Sequence, residues 1–162
     1  MLLFTQYISR LRFMAASYSS FLSTRFYSPV FNTALFDGPF RIYFSQSYES
    51  AALKIYHLLQ TNHTELWTKY KRWADQTKKH AFIVIYPTIK DVQVAFDNAV
   101  EAQAFPICQK TDDGHVIGFE NPNTDADFEK YFSGLVSSLE KISENFSEKV
   151  LQSKTSKDAP LQ

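Results

Sequence analysis

HAFIVIYPTIKDVQVAFDNAVEAQAFPICQK, residues 80–110, is the stretch whose reading decides the fold. Residues 81–87 are apolar throughout, β-rich and closed by a proline. A run of that kind fits a strand covered on both faces, as in a parallel sheet. From Asp91 the pattern turns helical, with Val92, Ala95, Phe96, Ala99 and Val100 on one apolar face. Phe105-Pro106-Ile107-Cys108 then returns as a second apolar run. Strand, helix and strand in this order predict a βαβ unit with a right-handed crossover. Ligands of such sheets bind beyond the carboxyl ends of the strands, which puts residues 86–91 at the mouth of a site.

The chain of 162 residues has room for one domain with a substantial core. Its 17 basic and 17 acidic residues cancel, so no global field points to nucleic acid or to a membrane surface. A single cysteine rules out an intramolecular disulfide and any multi-cysteine metal site. No apolar run reaches the roughly 18 residues that a membrane span needs.

Residues 1–36 read as a separate extension. They carry Arg10, Arg12 and Arg25, six serines and no acid before Asp37. Basic, serine-containing and acid-free is the composition of an organelle transit peptide. Arg25-Phe26-Tyr27-Ser28 also resembles the arginine-aromatic-serine pattern at which mitochondrial presequences are cut. The alternatives are an ordinary extension on a cytoplasmic protein, or an upstream start with Met14 as the initiator. On each of these readings the fold is expected to occupy 37–150.

Within it, Asp37-Gly38-Pro39 signals a turn and residues 40–44 a first strand. Ser47 or Ser50 is placed to cap a helix with the stripe Ala52, Ile55, Tyr56 and Leu59. Thr61-Asn62-His63 breaks it, and Thr64 opens a second helix carrying Leu66, Trp67, Tyr70, Trp73 and Ala74 towards the core. Later, Thr111-Asp112-Asp113-Gly114 is a turn, 115–119 a short strand, and Thr124 the N-cap of a long helix. In that helix Phe128, Phe132, Leu135, Leu139, Ile142 and Phe146 mark the buried face. The part past Ile142 is expected to project, making 125–150 a dimer contact, and 151–162 to be a disordered tail.

Few residues can carry chemistry. The histidines at 57, 63, 80 and 115 have no metal-ligand spacing, and only four glycines occur, in no phosphate-cradling motif. Neither a metal nor a cofactor is therefore expected. Cys108 falls in a strand pattern and reads as an inert thiol. The carboxylates Asp91 and Asp97 remain. Six helical positions apart, they lie about 120° from one another in projection and roughly 9 Å along the axis. On physics alone they read as a helix-start aspartate and a solvated one.

Their arrangement nevertheless resembles the nucleoside 2-deoxyribosyltransferases over about residues 40–110. RIYFSQSYESAALKIYHLLQ is similar to the family's opening strand and helix, ELWTKYKRWADQTKKHAFIVIYP to its next helix and strand, and DVQVAFDNAVEAQAFPICQ to its active-site helix and following strand. The resemblance implies Asp97 as the nucleophile and Asp91, Tyr43, Tyr86, Ser45 and Ser47 as substrate-binding residues. It implies a nucleoside or nucleotide as the small-molecule partner. Asp97 stands where the family has glutamate, and Gln93 where it has a glycine. FSQSYES also resembles the opening of Toll/interleukin-receptor domains, and the second half resembles a redox-dead thioredoxin-like domain. Parallel strands throughout would fit the first two families, and an antiparallel final hairpin the third. The expected fold is an α/β, three-layer, mostly parallel Rossmann-like sheet centred on strands 40–44, 81–87 and 105–109, with a long C-terminal helix.

Overall fold

The computed structural model describes Phe26, residues 33–35, 38–96 and 106–158, with side chains through residue 146. Among these residues there are five strands and four α-helices. They run in the order β1 (Thr33–Leu35), β2 (Phe40–Phe44), α1 (Glu49–Asn62), α2 (Thr64–Thr77), β3 (His80–Tyr86), α3 (Ile89–Ala95), β4 (Ile107–Thr111), β5 (Gly114–Glu120) and α4 (Asp125–Asp158). The sheet is mixed and open, in the order β1-β2-β3-β5-β4. Its central strands β2, β3 and β5 are parallel to one another, and both edge strands run the other way.

The middle of the sheet is where the most apolar stretch belongs. In β3 every residue from Ala81 to Tyr86 is buried, as a strand flanked by two neighbours and covered on both faces requires. Phe40, Ala81 and His115 are in register and share one face. There Phe40 meets the rings of Trp67 at 5.7 Å and Tyr70 at 4.9 Å, while His115 lies 6.0 Å from Trp73. Tyr70 also donates its hydroxyl to the Leu139 carbonyl at 2.8 Å, tying α2 to α4. On the opposite face, Gly118 lies beside Val84, and Phe96 from the end of α3 packs over it.

Five expectations need correction. The run after α3 is not the second parallel strand of a βαβ unit. It is Ile107–Thr111, an edge strand antiparallel to β5, and β5 sits between it and β3. The reason lies in its own residues. Cys108 and Lys110 are exposed between half-buried neighbours, which suits an edge. GHVIGFE in β5 is almost wholly buried, as an inner strand must be. The two residues Asp112 and Asp113 between the strands allow only a hairpin, since a parallel return needs a long crossover. Gly114, at φ 139°, closes that turn where any Cβ would collide with the His80 carbonyl.

Second, α3 opens two residues before Asp91 and stops at Ala95, with Phe96 already extended at φ −115° and ψ 111°. Val92, Ala95 and Phe96 are buried as expected. Asp97, Ala99, Val100 and Phe105 lie outside the described residues.

Third, the fold does not begin at 37. Thr33–Leu35 pairs with β2, and Phe26 is a core residue. Fourth, α4 stays packed past Ile142, since Phe146 is buried and stacks on Trp73 at 4.1 Å. Residues 151–158 continue this helix. Fifth, α1 has Tyr48 at its N-cap with no side-chain cap bond, so neither Ser47 nor Ser50 caps it. The expected cap of α4 is present: Thr124 accepts from the Asp127 amide through its hydroxyl at 3.0 Å.

Candidate functional site at the carboxyl ends of β2 and β3

β2 and β3 are parallel neighbours, so the segments leaving them emerge on one edge of the sheet. After β2, Ser45 caps a single turn of 3-10 helix, Gln46–Tyr48. Its carbonyl accepts from the Tyr48 amide at 3.0 Å, and its hydroxyl lies 3.1 Å from that of Ser47. After β3, Thr88 and Asp91 form a capping box. The Asp91 Oδ2 accepts from the Thr88 amide at 3.2 Å and from the Thr88 hydroxyl at 2.8 Å, and the Asp91 amide donates to Thr88 Oγ1 at 3.3 Å.

Two polar atoms of these turns are left over among the described residues. Asp91 spends only Oδ2 on the cap, and Oδ1 has no hydrogen bond among the described residues. The Tyr48 hydroxyl is buried without a hydrogen-bond partner among the described residues. Burial pushes the Tyr48 phenol above its usual range, and the nearby negative charge of Asp91 pushes it further. The Ser45 hydroxyl acts the other way, although it does not reach the geometry of a hydrogen bond. Tyr48 is therefore a neutral phenol beside a carboxylate, with a proton to donate.

The other residues expected at the site are placed differently. Tyr43 is 2 % exposed, its ring stacked with Phe82 at 6.3 Å, so it belongs to the packed face of the sheet. Tyr86 is 1 % exposed and donates its hydroxyl to the Phe26 carbonyl at 2.8 Å. Asp97 is outside the described residues. Ser45, Ser47 and Asp91 thus come to one edge, joined by Tyr48 and Thr88, which sequence reasoning passed over. The Thr88-x-x-Asp91 spacing is a capping-box signal and was available; nothing in Ser45-Gln46-Ser47 announces that the Tyr48 hydroxyl is buried.

No family model, curated protein or solved structure matches the chain.

The amino ends of β2 and β3 carry a different environment. A cleft of about 450 Å³ is lined by Arg41, Lys71, Lys78, Asp75 and His80, with Trp67 as one wall. The Arg41 guanidinium faces His80 Nε2 at 3.1 Å. Burial lowers the His80 pKa, the Arg41 charge lowers it further, and Asp113 partly offsets both. Of its lysines, Lys78 is the C-cap of α2, where the helix dipole favours a cation, and Lys71 lies further back in the helix. Among the described residues no cluster of three or more His, Cys, Asp or Glu could hold a metal ion, and no helix is long and apolar enough to cross a membrane.

Proposed function

We propose that this protein is a divergent nucleoside 2-deoxyribosyltransferase-like domain, three-layered and Rossmann-like, that binds a nucleoside at the carboxyl ends of β2 and β3. The observation that carries the reading is the Asp91 carboxylate acting electrostatically on Tyr48, with Asp91 Oδ1 and the buried Tyr48 hydroxyl both without hydrogen-bond partners among the described residues, on the sheet edge that also carries Ser45 and Ser47. A carboxylate oxygen that accepts and a phenol and serines that donate match the hydroxyls and ring oxygen of a pentose. Their place beyond the carboxyl ends of parallel strands is the usual one for ligands in open α/β sheets. In the catalytic version, Asp97 attacks the anomeric carbon, the base leaves with the bonding electron pair, and water or a second base then displaces the carboxylate.

Equilibrium titration with 2′-deoxyadenosine and 2′-deoxycytidine tests the binding. Asp91→Asn and Tyr48→Phe should each weaken it about tenfold or more, the scale of one charge-assisted or buried hydrogen bond. Equal affinity in Asp91→Asn would refute the site. A 2′-fluoro-2′-deoxynucleoside should leave a pentosyl mass on the peptide containing Asp97, lost in Asp97→Asn. The antiparallel β4–β5 hairpin favours a second reading, a binding domain of thioredoxin-like descent without chemistry. Nucleoside binding with no trapped adduct would select the binding-only alternative.

A further inference from the structure

The cleft at the amino ends of β2 and β3 gathers positive charge from two elements. Arg41 comes from β2, and Lys71 and Lys78 belong to α2, together with Trp67 and Asp75. Trp67, Lys71, Asp75 and Lys78 follow at steps of four, four and three, so they share one face of that helix. Three permanent cations thus line a space of about 450 Å³ with a single carboxylate. The helix dipole favours Lys78 but reaches neither Lys71, about two turns back, nor Arg41 on its strand. Among the described residues no ion pair occupies either lysine. The Arg41 guanidinium can only donate, so at 3.1 Å His80 Nε2 accepts and the imidazole is neutral, with its proton on Nδ1. Burial and then the Arg41 charge hold His80 in that form. Trp67 is a fixed apolar wall. Its ring lies 5.3 Å from Tyr56 and 5.7 Å from Phe40, and a Cβ added at Gly38 would come within 2.5 Å of it.

We propose that this cleft binds a small phosphomonoester, with the phosphate among Arg41, Lys71 and Lys78 and the organic part against Trp67. The site is separate from the nucleoside site, because it lies at the opposite end of the same two strands. Three cations and one carboxylate leave an excess of two positive charges, which a phosphate dianion cancels. Its three terminal oxygens serve a guanidinium and two ammonium groups together, where a carboxylate offers two. Arg41 and Trp67 are held by their neighbours before a ligand arrives, so the ordering cost of binding falls on the two exposed lysines. Over the whole chain 17 basic and 17 acidic residues cancel, so the excess is local and suits a small ligand rather than a nucleic acid.

The test is calorimetric titration of the full chain at low salt, above the second phosphate ionisation near about pH 6. The probes are phenyl phosphate and inorganic phosphate. Neither contains a pentose, so the result does not depend on the nucleoside site. Phenyl phosphate should bind more tightly than inorganic phosphate and shift the His80 ring resonances in NMR spectra. Arg41→Gln should weaken its binding about tenfold. Lys71→Gln and Lys78→Asn should each weaken it about threefold or more, asparagine being suited to the left-handed backbone at 78, φ 60°. Asp75→Asn should tighten it by removing the opposing charge, and Lys130→Gln on α4 should leave it unchanged. If Arg41→Gln fails to fold, the exposed lysine variants decide. No binding of phenyl phosphate below about 10 mM overturns the site. So do equal losses in Lys130→Gln and Lys71→Gln, weaker binding in Asp75→Asn, or His80 resonances that stay still as phenyl phosphate binds. Equal affinity for the two probes overturns the phosphomonoester as the ligand.

Discussion

The Tyr86 hydroxyl donates to the Phe26 carbonyl across 60 residues of sequence, at 2.8 Å and in the buried interior. That bond and the 5.2 Å contact between Phe26 and Phe96 make a piece of the extension part of the fold. Tyr86→Phe keeps the ring and removes the proton, and with it this buried hydrogen bond. The expected loss is about 1–3 kcal/mol, read as a lower urea midpoint with an unchanged slope. An unchanged midpoint would mean that water replaces the tyrosine and that Phe26 is not held there.

Gly118 sets how closely Phe96 can approach the sheet. A Cβ added at 118 would lie 2.5 Å from one ring carbon of Phe96 and 3.1 Å from the Tyr86 ring. Gly118→Ala should cost about 1–3 kcal/mol by overpacking. Combined with Phe96→Leu it should cost less than the sum of the two single changes, since the smaller side chain frees the space. Strict additivity in denaturation would break the assignment of Phe96 over Gly118. Phe96→Asp, which buries an unpaired charge at a position 1 % exposed, should be among the most destabilising single changes in the chain.

Legibility in the sequence follows the physics of each element. Residues 81–87 could be read as a central strand because burial on both faces leaves no polar position to confuse the pattern. The stripes of α1 and α2 were readable for the related reason that Ile55, Leu59, Leu66, Tyr70 and Trp73 follow the helical period. The order of the sheet was not. ICQKT and GHVIGFE are both short β-rich runs, and only the two-residue turn between them tells that they pair with each other before either meets β3. Phe26 was unreadable as core because its partners, Tyr86 and Phe96, are remote in the chain, and composition marks the segment around it as a leader. At the site, Asp91 was found from its helix-start position, whereas Tyr48 depended on a turn geometry that no local pattern encodes.

The capping box at the start of α3 makes a prediction that separates structure from binding. Thr88 and Asp91 satisfy each other and two amide donors. Thr88→Ala and Asp91→Ala should each cost about 0.5–2 kcal/mol, and the double variant should cost less than their sum because the two groups act as one unit. Asp91→Asn retains an acceptor for the Thr88 amide, so it should lose less stability than Asp91→Ala while losing the charge that a ligand would use. Equal stability losses in Asn and Ala would show that the cap depends on the charge and not on the hydrogen bond.

His80 gives the chain a pH dependence of definite sign. It lies at the start of β3, half-buried, with its Nε2 3.1 Å from the Arg41 guanidinium and its ring 6.0 Å from that of Phe82. Burial and the Arg41 charge both disfavour the imidazolium, and Asp113 only partly compensates, so the pKa in the folded chain is below 6.5. The unfolded chain then binds the proton more readily. The neutral imidazole contributes its full stability above about pH 6.5, and that contribution is lost as pH falls through the folded pKa. His80→Gln should therefore show a smaller fall in urea midpoint between pH 7 and pH 5 than the unaltered protein does. Arg41→Gln should move the His80 ring resonances in an NMR titration towards a midpoint of about 6.5, by removing one of the two depressing causes. A His80 midpoint that stays put in Arg41→Gln would assign the whole shift to burial. A midpoint above 6.5 in the unaltered protein would show that Asp113 outweighs burial and Arg41 together, and the acid limb of stability would then have the opposite sign.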